Sequence, residues 1–486
     1  MAALLFTAAG GALIVSWTAA LFYFGALCTS ILIYRAFFHR LRKLYSLRWV
    51  LPHLQYYSSA EKLHEKYGEI VRTGPRELSI ANVDAAALIH GPSSRCTKGP
   101  WYSVLVALDL PSLQSSRDKQ EHKVRRKIWE RAFNAKSLRE YEPRLNRHTF
   151  ELMGQLKDQV TDSVRITDWL NWYSFDVMGD IGFSHDFGMV RGGKEDELIT
   201  KLHKGMAGGS IFGHLTWMIN LLVRPGVGIE DIVEFDSWAH DVLKRRHKIQ
   251  PREPDVTGWI VDPDEEDLAK HVPDTKLLIV AGSDTTSSTL AWLCYELCKN
   301  PAVQIKLRKI LDAMVGNKAF LDVEDVANVP YLDGIINETM RLHPAVPSGV
   351  QRLTPPEGLT LPSGPYKYIP GNTIVWTHTH TLQRNADYFP RPMTFIPERW
   401  TDEMSATHLL DKRAFQPFSA GTYNCIGQKL AMMEMRSVVA NLVRRFEIEF
   451  AEGEKGERIE RDTQDCFTVI VGALDVRLTP RTAGKS

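Results

Sequence analysis

Apolar residues recur at helical spacing along most of the chain. Intervals of three and four positions predict α-helices. These helices are predicted at residues 84–90, 119–133, 138–159, 167–179, 233–247, 274–299, 301–314 and 425–446. Strand-like stretches are few and short, at residues 70–73, 78–81, 366–369, 373–378 and 467–471. The pattern therefore predicts a mainly α fold with small β-sheets.

Two segments of the body depart from this pattern. Residues 384–400 carry Pro390, Pro392 and Pro397, and proline inside a helix removes a hydrogen bond and clashes with the preceding turn. We expect an ordered, irregular segment there. Residues 250–271 are polar and acidic, which favours an exposed connection.

The amino terminus is uncharged and apolar. Residues 2–34 contain no charged side chain, whereas a membrane-spanning helix needs only about 20 apolar residues. A cleaved signal peptide is the alternative, but its basic start is missing and the apolar run is too long. The basic residues that follow are Arg35, Arg40, Arg42, Lys43 and Arg48. Because basic flanks stay in the cytosol, we expect a membrane anchor at residues 1–34, a basic linker at 35–59 and a cytosolic body at 60–486.

Composition narrows the function classes. Hydrophobic residues make up 44% of the 486 residues and charged residues 24%, values near globular averages that exclude a disordered chain, a collagen and a polytopic membrane protein. A formal net charge of +1 lacks the basic bias of a nucleic-acid binder, so we expect no nucleic-acid partner. The six cysteines form no CxxC pair, which disfavours zinc-finger and thioredoxin-type sites and favours a reducing compartment.

The strongest local motif surrounds one cysteine. Phe418, Gly421, Cys425 and Gly427 form an F-x2-G-x3-C-x-G pattern just before a strongly amphipathic helix. Glycines permit a tight loop, and the N–H groups and dipole of a helix amino terminus favour a thiolate. A buried thiolate is a good axial ligand for haem iron. An inert buried cysteine is the alternative, but chance produces this pattern in only about one chain in a thousand at this chain's residue usage.

The cysteine segment resembles the haem-ligand loop of cytochrome P450 enzymes, and the resemblance extends from about residue 60 to the end. Further stretches are similar to membrane-bound enzymes of filamentous fungi, many of which tailor secondary metabolites: LHEKYGEIVRTGPREL, KGPWY, AGSDTT, NETMRLHPAVPSGVQRLTPPEG and FIPERW. The resemblance implies the cytochrome P450 fold, a haem cofactor with Cys425 as the iron ligand, and an NADPH-dependent monooxygenase. It also implies a single-pass protein of the endoplasmic reticulum.

The AGSDTT stretch, residues 281–286, lies inside the predicted helix 274–299. Gly, Ser and Thr are poor helix formers, and their hydroxyls can bond back to carbonyls and loosen the helix. We expect a loosened turn that forms a groove. The resemblance implies that Thr285 orients dioxygen and that Asp284 relays protons. Solvent-facing hydroxyls are the alternative.

The resemblance also assigns structural and haem-binding residues. It joins Glu338, Arg341 and Arg399 into one buried network that braces the loop before the cysteine; a Glu–Arg pair three residues apart would mean little by itself, since such surface pairs abound.

The haem propionates need cationic or hydrogen-bonding partners, and the resemblance implies His122, Arg126 and Arg352, although Arg126 could belong to a solvated basic face. Tyr423 stands where the family most often has Arg or His, which implies a phenol hydrogen bond at that place. The proline-glycine hinge that usually follows the anchor is missing.

The substrate pocket is expected to be apolar. By resemblance, its walls are residues 102–111, 212–218, 278–282, 345–350 and 466–469. Electrons would come from a separate, membrane-bound NADPH-cytochrome P450 reductase. Its candidate docking residues are Arg125, Lys127, Lys429 and Arg436, for which ordinary surface charge is the alternative.

Other functions remain open at this point. A haem-thiolate isomerase or dehydratase would act without a reductase, but such enzymes tend to alter the oxygen-activating threonine, which is intact here. A non-catalytic haem-binding or lipid-binding module is the third possibility. A polyketide, terpenoid, indole alkaloid or fatty acyl chain would each suit an apolar pocket.

Overall fold

The computed structural model describes residues 56–106, 110–159, 163–210, 230–316, 318–364 and 366–481, with isolated helical positions between 19 and 33. The α-helices are α1 Tyr56–Tyr67, α2 Val83–His90, α3 Lys119–Ala132, α4 Ala135–Asp158, α5 Ile166–Phe183, α6 Met189–Gly192, α7 Glu197–Ser210, α8 Glu230–His247, α9 Thr257–Ile260, α10 Val272–Lys299, α11 Pro301–Val315, α12 Pro330–Leu342, α13 Thr379–Gln383, α14 Ser405–His408, α15 Gln428–Arg445 and α16 Glu457–Asp462.

The strands are β1 Ile70–Gly74, β2 Glu77–Ile80, β3 Thr97–Lys98, β4 Val164–Arg165, β5 Gln351–Leu353, β6 Leu359–Thr360, β7 Tyr368–Ile369, β8 Ile374–Thr377, β9 Phe446–Phe450, β10 Gln464–Cys466, β11 Thr468–Ile470 and β12 Asp475–Pro480. The largest sheet has the order β1-β2-β8-β5-β3. Its β2–β8 pair is parallel and its other pairs are antiparallel. The three-stranded sheet β4-β12-β9 and the hairpins β6-β7 and β10-β11 complete the small β component. The prediction of a mainly α fold with small sheets is confirmed.

Helix α10 runs through the main hydrophobic core. Its Pro273 lies in the first turn, where the missing N–H leaves no helical hydrogen bond unmade. A Cβ added at Gly282 would lie 2.7 Å from the Met178 sulfur on α5, so the glycine lets these two helices approach closely. The expected loosening at residues 281–286 does not break the helix, which is continuous from Val272 to Lys299.

The segment 250–271 corrects one expectation. It is not simply an exposed connection, because Asp255 and Val256 are buried and the segment contains α9 and a 3₁₀ helix, Leu268–His271. The Asp255 carboxylate pairs with Arg246 and accepts a hydrogen bond from the Ser184 hydroxyl at 2.6 Å. These buried contacts attach the segment to the body.

The amino-terminal predictions remain untested. Most of the predicted anchor, residues 1–34, and most of the linker, residues 35–59, lie outside the described residues, although α1 begins within the linker. Across the part of the chain that the structure describes, no helix combines the length and the hydropathy that a membrane crossing requires.

Candidate active site

The Cys425 loop is closed by backbone hydrogen bonds. The Cys425 N–H donates to the Phe418 carbonyl at 2.8 Å, and the Asn424 N–H donates to Gly421 at 3.1 Å. Helix α15 begins three residues later, with Gly427 as its cap. The predicted helix 425–446 therefore starts at Gln428, and Cys425 precedes its amino terminus.

The two glycines of the loop differ. Gly421 has φ +64°, and a Cβ there would lie 2.2 Å from the His90 carbonyl oxygen, so both conformation and space require glycine. Gly427 has φ −79°, and its added Cβ would meet the Cys425 sulfur at 3.9 Å, an ordinary contact. Gly427 thus leaves open space beside the sulfur rather than permitting an unusual backbone.

The Cys425 thiol faces a cavity of about 570 Å³. Cys425 is exposed to this cavity, but the dense protein around the loop still desolvates the thiol and raises its pKa, although the N–H groups of Gly427 and Gln428 and the charge of Arg126 oppose the rise. The N–H groups at the helix amino terminus therefore favour the thiolate, as predicted, but the effect of desolvation on the thiol pKa is larger.

Helix α10 also borders the cavity. Thr285 lines the cavity, and its hydroxyl donates to the Ala281 carbonyl at 2.8 Å. Asp284 is buried and contacts Nε2 of His203 on α7 through Oδ1 at 3.0 Å, while its Oδ2 has no partner among the described residues. Burial lowers the pKa of His203, but the hydrogen bond and charge of Asp284 outweigh it and raise that pKa overall.

Glu338, Arg341 and Arg399 meet in one fully buried network. Arg341 donates twice to the Glu338 carboxylate, at 2.9 and 2.8 Å, and Arg399 donates to the same carboxylate at 3.2 Å. The Ile396 N–H and the Trp400 indole complete its shell, at 3.0 and 2.9 Å. The network fastens α12 to the irregular segment that precedes the cysteine loop.

The expected propionate partners lie together at one side of the cavity, which His122, Arg126, Arg352 and Tyr423 all line. Arg126 donates to the Asn424 carbonyl and side chain, at 2.6 and 2.9 Å, and to Glu130 at 3.1 Å. Three of its five N–H groups are thus used, and two of them hold Asn424, the residue before Cys425.

The remaining polar atoms at this side of the cavity fit an anionic cofactor. Arg352 Nε, His122 Nδ1 and the Tyr423 hydroxyl are buried without a hydrogen-bond partner among the described residues. Burial lowers the pKa of His122 to about 3, and nearby Lys98, Arg126 and Arg352 add to the effect. Unpaired donors beside clustered positive charge suit two carboxylates, so the residues present fit a haem with its propionates. Cys425 would ligate the iron.

Two cavity residues, and one residue behind the cavity wall, were not singled out from the sequence. Lys98 of β3 and Glu434 of α15 are both buried and face the cavity; burial raises the pKa of Glu434 well above its usual range. His203 contacts Asp284 from outside the cavity lining. Lys98 and Glu434 could have been noticed as charged residues at otherwise buried positions of a strand and a helix. No sequence pattern around His203 indicates its contact with Asp284.

Two of the candidate docking residues have partners within the chain. Arg125 pairs with the buried Asp274 at 3.1 Å, and Arg436 pairs with Asp333 at 2.6 Å. Docking through these two side chains therefore loses its support, whereas Lys127 and Lys429 are exposed.

Every expected wall with described residues contributes to the cavity, but the wall at 102–111 contributes only Tyr102 among its described residues. Its lining includes Tyr102, Leu278, Ala281, Ala345, Val350, Cys466 and Phe467. The predicted wall at residues 212–218 lies outside the described residues. Trp101 also contributes, and its ring stacks on Phe467 with a centroid separation of 4.5 Å.

Comparison with known proteins agrees with this geometry. A family model described as Cytochrome P450 matches residues 41–472. The cytochrome P450 monooxygenase FCK2 of Fusarium pseudograminearum is 37% identical over 94% of this chain and 85% of its own length. The cytochrome P450 monooxygenase orf5 of Eupenicillium brefeldianum is 37% identical over 95% of both chains. Tryprostatin B 6-hydroxylase of Aspergillus fumigatus is 34% identical over 94% of this chain and 84% of its own length. The chain therefore belongs to the cytochrome P450 family of haem-thiolate oxidoreductases.

Proposed function

We propose that this chain inserts one oxygen atom from O2 into a hydrophobic small molecule of fungal secondary metabolism. The observation that carries the proposal is the meeting of Cys425 and Thr285 on one mainly apolar cavity of about 570 Å³, which the haem and a small-molecule substrate would share. Monooxygenase relatives that cover most of the chain support it, one of them a tryprostatin B hydroxylase.

The chain's own residues would control water, protons and orientation. When bound, the haem with its thiolate ligand activates dioxygen for O–O cleavage. Thr285 would turn its hydroxyl from Ala281 to the reacting oxygen, and Asp284 would supply protons through its contact with His203. His203 lies 3.8 Å from Glu195, which is partly exposed, so this row of groups leads from solvent to α10. In the net reaction, substrate, O2, two electrons and two protons give a hydroxylated product and one water.

The Trp101–Phe467 pair favours a substrate with a planar ring. Phe467 is the single residue between β10 and β11, with φ +80°, a strained conformation for a bulky residue. The hairpin is held by the Val469 N–H, which donates to Ala345 at 3.0 Å, and by Asp465, which accepts a hydrogen bond from the Ser348 hydroxyl. A rigid aromatic wall stacks well on flat rings, which an indole alkaloid or an aromatic polyketide would present.

Electrons would come from a membrane-bound NADPH-cytochrome P450 reductase. Lys127 and Lys429 are the exposed cations that would face this partner. The uncharged residues 2–34 would anchor the chain in the endoplasmic reticulum membrane, with the basic residues after Tyr34 on the cytosolic side.

The test combines a reconstituted assay with gene deletion. We expect the purified chain with reductase to consume NADPH and O2 when it receives the metabolite that accumulates in the deletion strain, and to return that metabolite with one added oxygen. Conversion of the accumulated metabolite without reductase or NADPH would instead support an isomerase or dehydratase. A binding module would be supported if the haem-loaded chain converted no metabolite and if the deletion strain accumulated no precursor.

A further inference from the structure

Phe467 forms the tip of the β10-β11 hairpin, and its ring lines the cavity. It is the single residue between the two strands, and its φ of +80° lies in the left-handed region, which is costly for a bulky side chain. Such a conformation persists only where the surrounding contacts fix it. The contacts that fix this hairpin therefore also fix the aromatic ring on the cavity.

The carboxylate of Asp465 lies at the centre of these contacts. Asp465 belongs to β10, two residues before Phe467, and it is buried. Its Oδ2 accepts a hydrogen bond from the Ser348 hydroxyl, and the N–H groups of Phe467 and Tyr57 also stabilise the carboxylate. One side chain thus joins the hairpin tip to the loop after α12 and to the first turn of α1.

The charge of Asp465 depends on these three donors. Among the described residues no lysine or arginine pairs with it, and burial raises its pKa to about 6 while the three donors oppose the rise. A buried charge is costly unless it is paired or hydrogen-bonded, and the dipole at the amino terminus of α1 favours an anion. The carboxylate is therefore stable only where the hairpin, the loop and α1 meet.

Asp465 and Ser348 lie behind the cavity wall, outside its lining. The ring of Phe467 stacks on Trp101 with an interplanar angle of 19°. The Trp101 N–H donates to the side chain of Gln351 at 2.8 Å, so the partner ring is fixed independently of the hairpin. Any effect of Asp465 on a bound molecule must therefore pass through Phe467.

We propose that Asp465 is a positioning residue for the substrate, because it fixes the Phe467 ring on the cavity and makes the place of that ring depend on α1. Helix α1 begins within the predicted linker, residues 35–59, so the amino-terminal end of the body is coupled to the shape of the cavity. A carboxylate with only a structural role would stabilise the fold without setting the place of the ring. The catalytic part of this inference rests on the proposed function, whereas the position of the ring does not.

The test follows the Phe467 ring directly. Para-fluorophenylalanine is incorporated at position 467, and its fluorine NMR resonance is recorded in the reduced, carbon monoxide-bound holoenzyme, whose iron is diamagnetic. In Asp465→Asn the amide turns an NH2 group towards donors, so at least one hydrogen bond is lost and the resonance should move or split. Ser348→Ala removes one donor outright and should also move it. Asp462→Asn changes an exposed carboxylate on α16 and is the matched control, in which the resonance should stay in place.

A second pair of variants isolates the contribution of α1. Tyr57→Pro removes the N–H that stabilises Asp465, and it places proline at the second helical position, which Pro273 occupies in α10 and where proline is tolerated. Tyr57→Ala loses the same phenol ring but keeps the N–H. We expect the Phe467 resonance to move further in Tyr57→Pro than in Tyr57→Ala.

Catalysis gives an independent readout. With the metabolite that accumulates in the deletion strain, Asp465→Asn should raise KM roughly 2- to 10-fold, the effect of one aromatic contact, and should change kcat less. In a Phe467→Ala background, Asp465→Asn should raise KM no further.

Three results would overturn the proposal. They are an unmoved resonance in Asp465→Asn and Ser348→Ala, equal shifts in the two Tyr57 variants, and an effect of Asp465→Asn on KM that persists without the Phe467 ring. If the resonance moves as expected but no metabolite is converted, the proposed function fails and the positioning of the ring by Asp465 stands, so the two failures are distinguishable.

Discussion

At the residue scale, backbone geometry positions the Cys425 sulfur. Its N–H is fixed by the Phe418 carbonyl, and the left-handed conformation of Gly421 brings the loop against His90. Arg126 then holds Asn424 from the neighbouring helix. The cysteine and both glycines could be predicted from sequence because their spacing is local. His203 could not, because its role arises from its contact with the distant Asp284.

We expect Gly421→Ala to destabilise the cysteine loop. A non-glycine residue at φ +64° costs about 1–3 kcal/mol, and the 2.2 Å approach to the His90 carbonyl adds overlap that the backbone must relieve. The free energy of unfolding, measured with urea, and the haem content after purification should both fall. The control is Gly154→Ala, inside α4 with no neighbour within 4 Å of the added Cβ; equal behaviour of the two variants would contradict the role of Gly421.

We expect Thr285→Ala to uncouple electron use from product formation. Loss of one hydrogen bond worth about 1.4 kcal/mol should lower product per NADPH by about tenfold and raise the release of hydrogen peroxide. Ser288→Ala is the matched control, because among the described residues its hydroxyl donates to the Thr285 carbonyl alone, at 3.1 Å. Unchanged coupling in Thr285→Ala would remove this hydroxyl from the proposed relay.

At the element scale, the site depends on how helices are joined to irregular segments. Periodicity predicted long helices such as α10 and α11 to within two residues of their ends. Sequence reasoning missed α7, which contains several glycines. It ended the predicted helix 425–446 on the first residue of β9 and predicted no strand at 446–450. Tertiary pairing with β12 decides that β9 is a strand, and such pairing is not encoded locally.

We expect Glu338→Gln to weaken the junction between α12 and the segment before the cysteine. Glu338 is fully buried and accepts hydrogen bonds from two arginines, and breaking a buried ion pair on one side costs about 3–5 kcal/mol. Urea unfolding of the holoenzyme measures this loss. Arg191→Ala removes an exposed cation with two carboxylate partners and should change the stability far less. If the Glu338→Gln protein were as stable as the wild type, the network would contribute little to the free energy of unfolding.

At the scale of the whole molecule, α1 is attached to the body through buried histidines. His64 contacts the Ser79 hydroxyl at 2.7 Å, and His380 contacts Glu61 at 3.3 Å. His378 lies between them, with ring centroids at 5.8 and 6.4 Å. Burial lowers the pKa of His64 and of His380 to about 4, so both rings are neutral at physiological pH.

We expect acid to weaken this attachment. Because both folded pKa values lie below the ordinary 6.5, their contribution to stability is complete above about pH 6.5 and is lost as the pH falls towards 4. The slope is at most about 1.4 kcal/mol per pH unit for each ring. Unfolding free energies of the wild type and of the double variant His64→Gln, His380→Gln, measured between pH 7 and 4, should diverge in this window. Parallel curves would contradict the neutral-histidine account.

The most direct test of the whole account is the carbon monoxide difference spectrum of the reduced, purified protein. We expect the wild type to purify with haem and to show the carbonyl band that a thiolate ligand produces. Cys425→Ala should lose that band, whereas Cys466→Ala, which removes another sulfur from the same cavity, should keep it. A colourless wild type, or an unchanged band in Cys425→Ala, would contradict the assignment of Cys425 as the iron ligand.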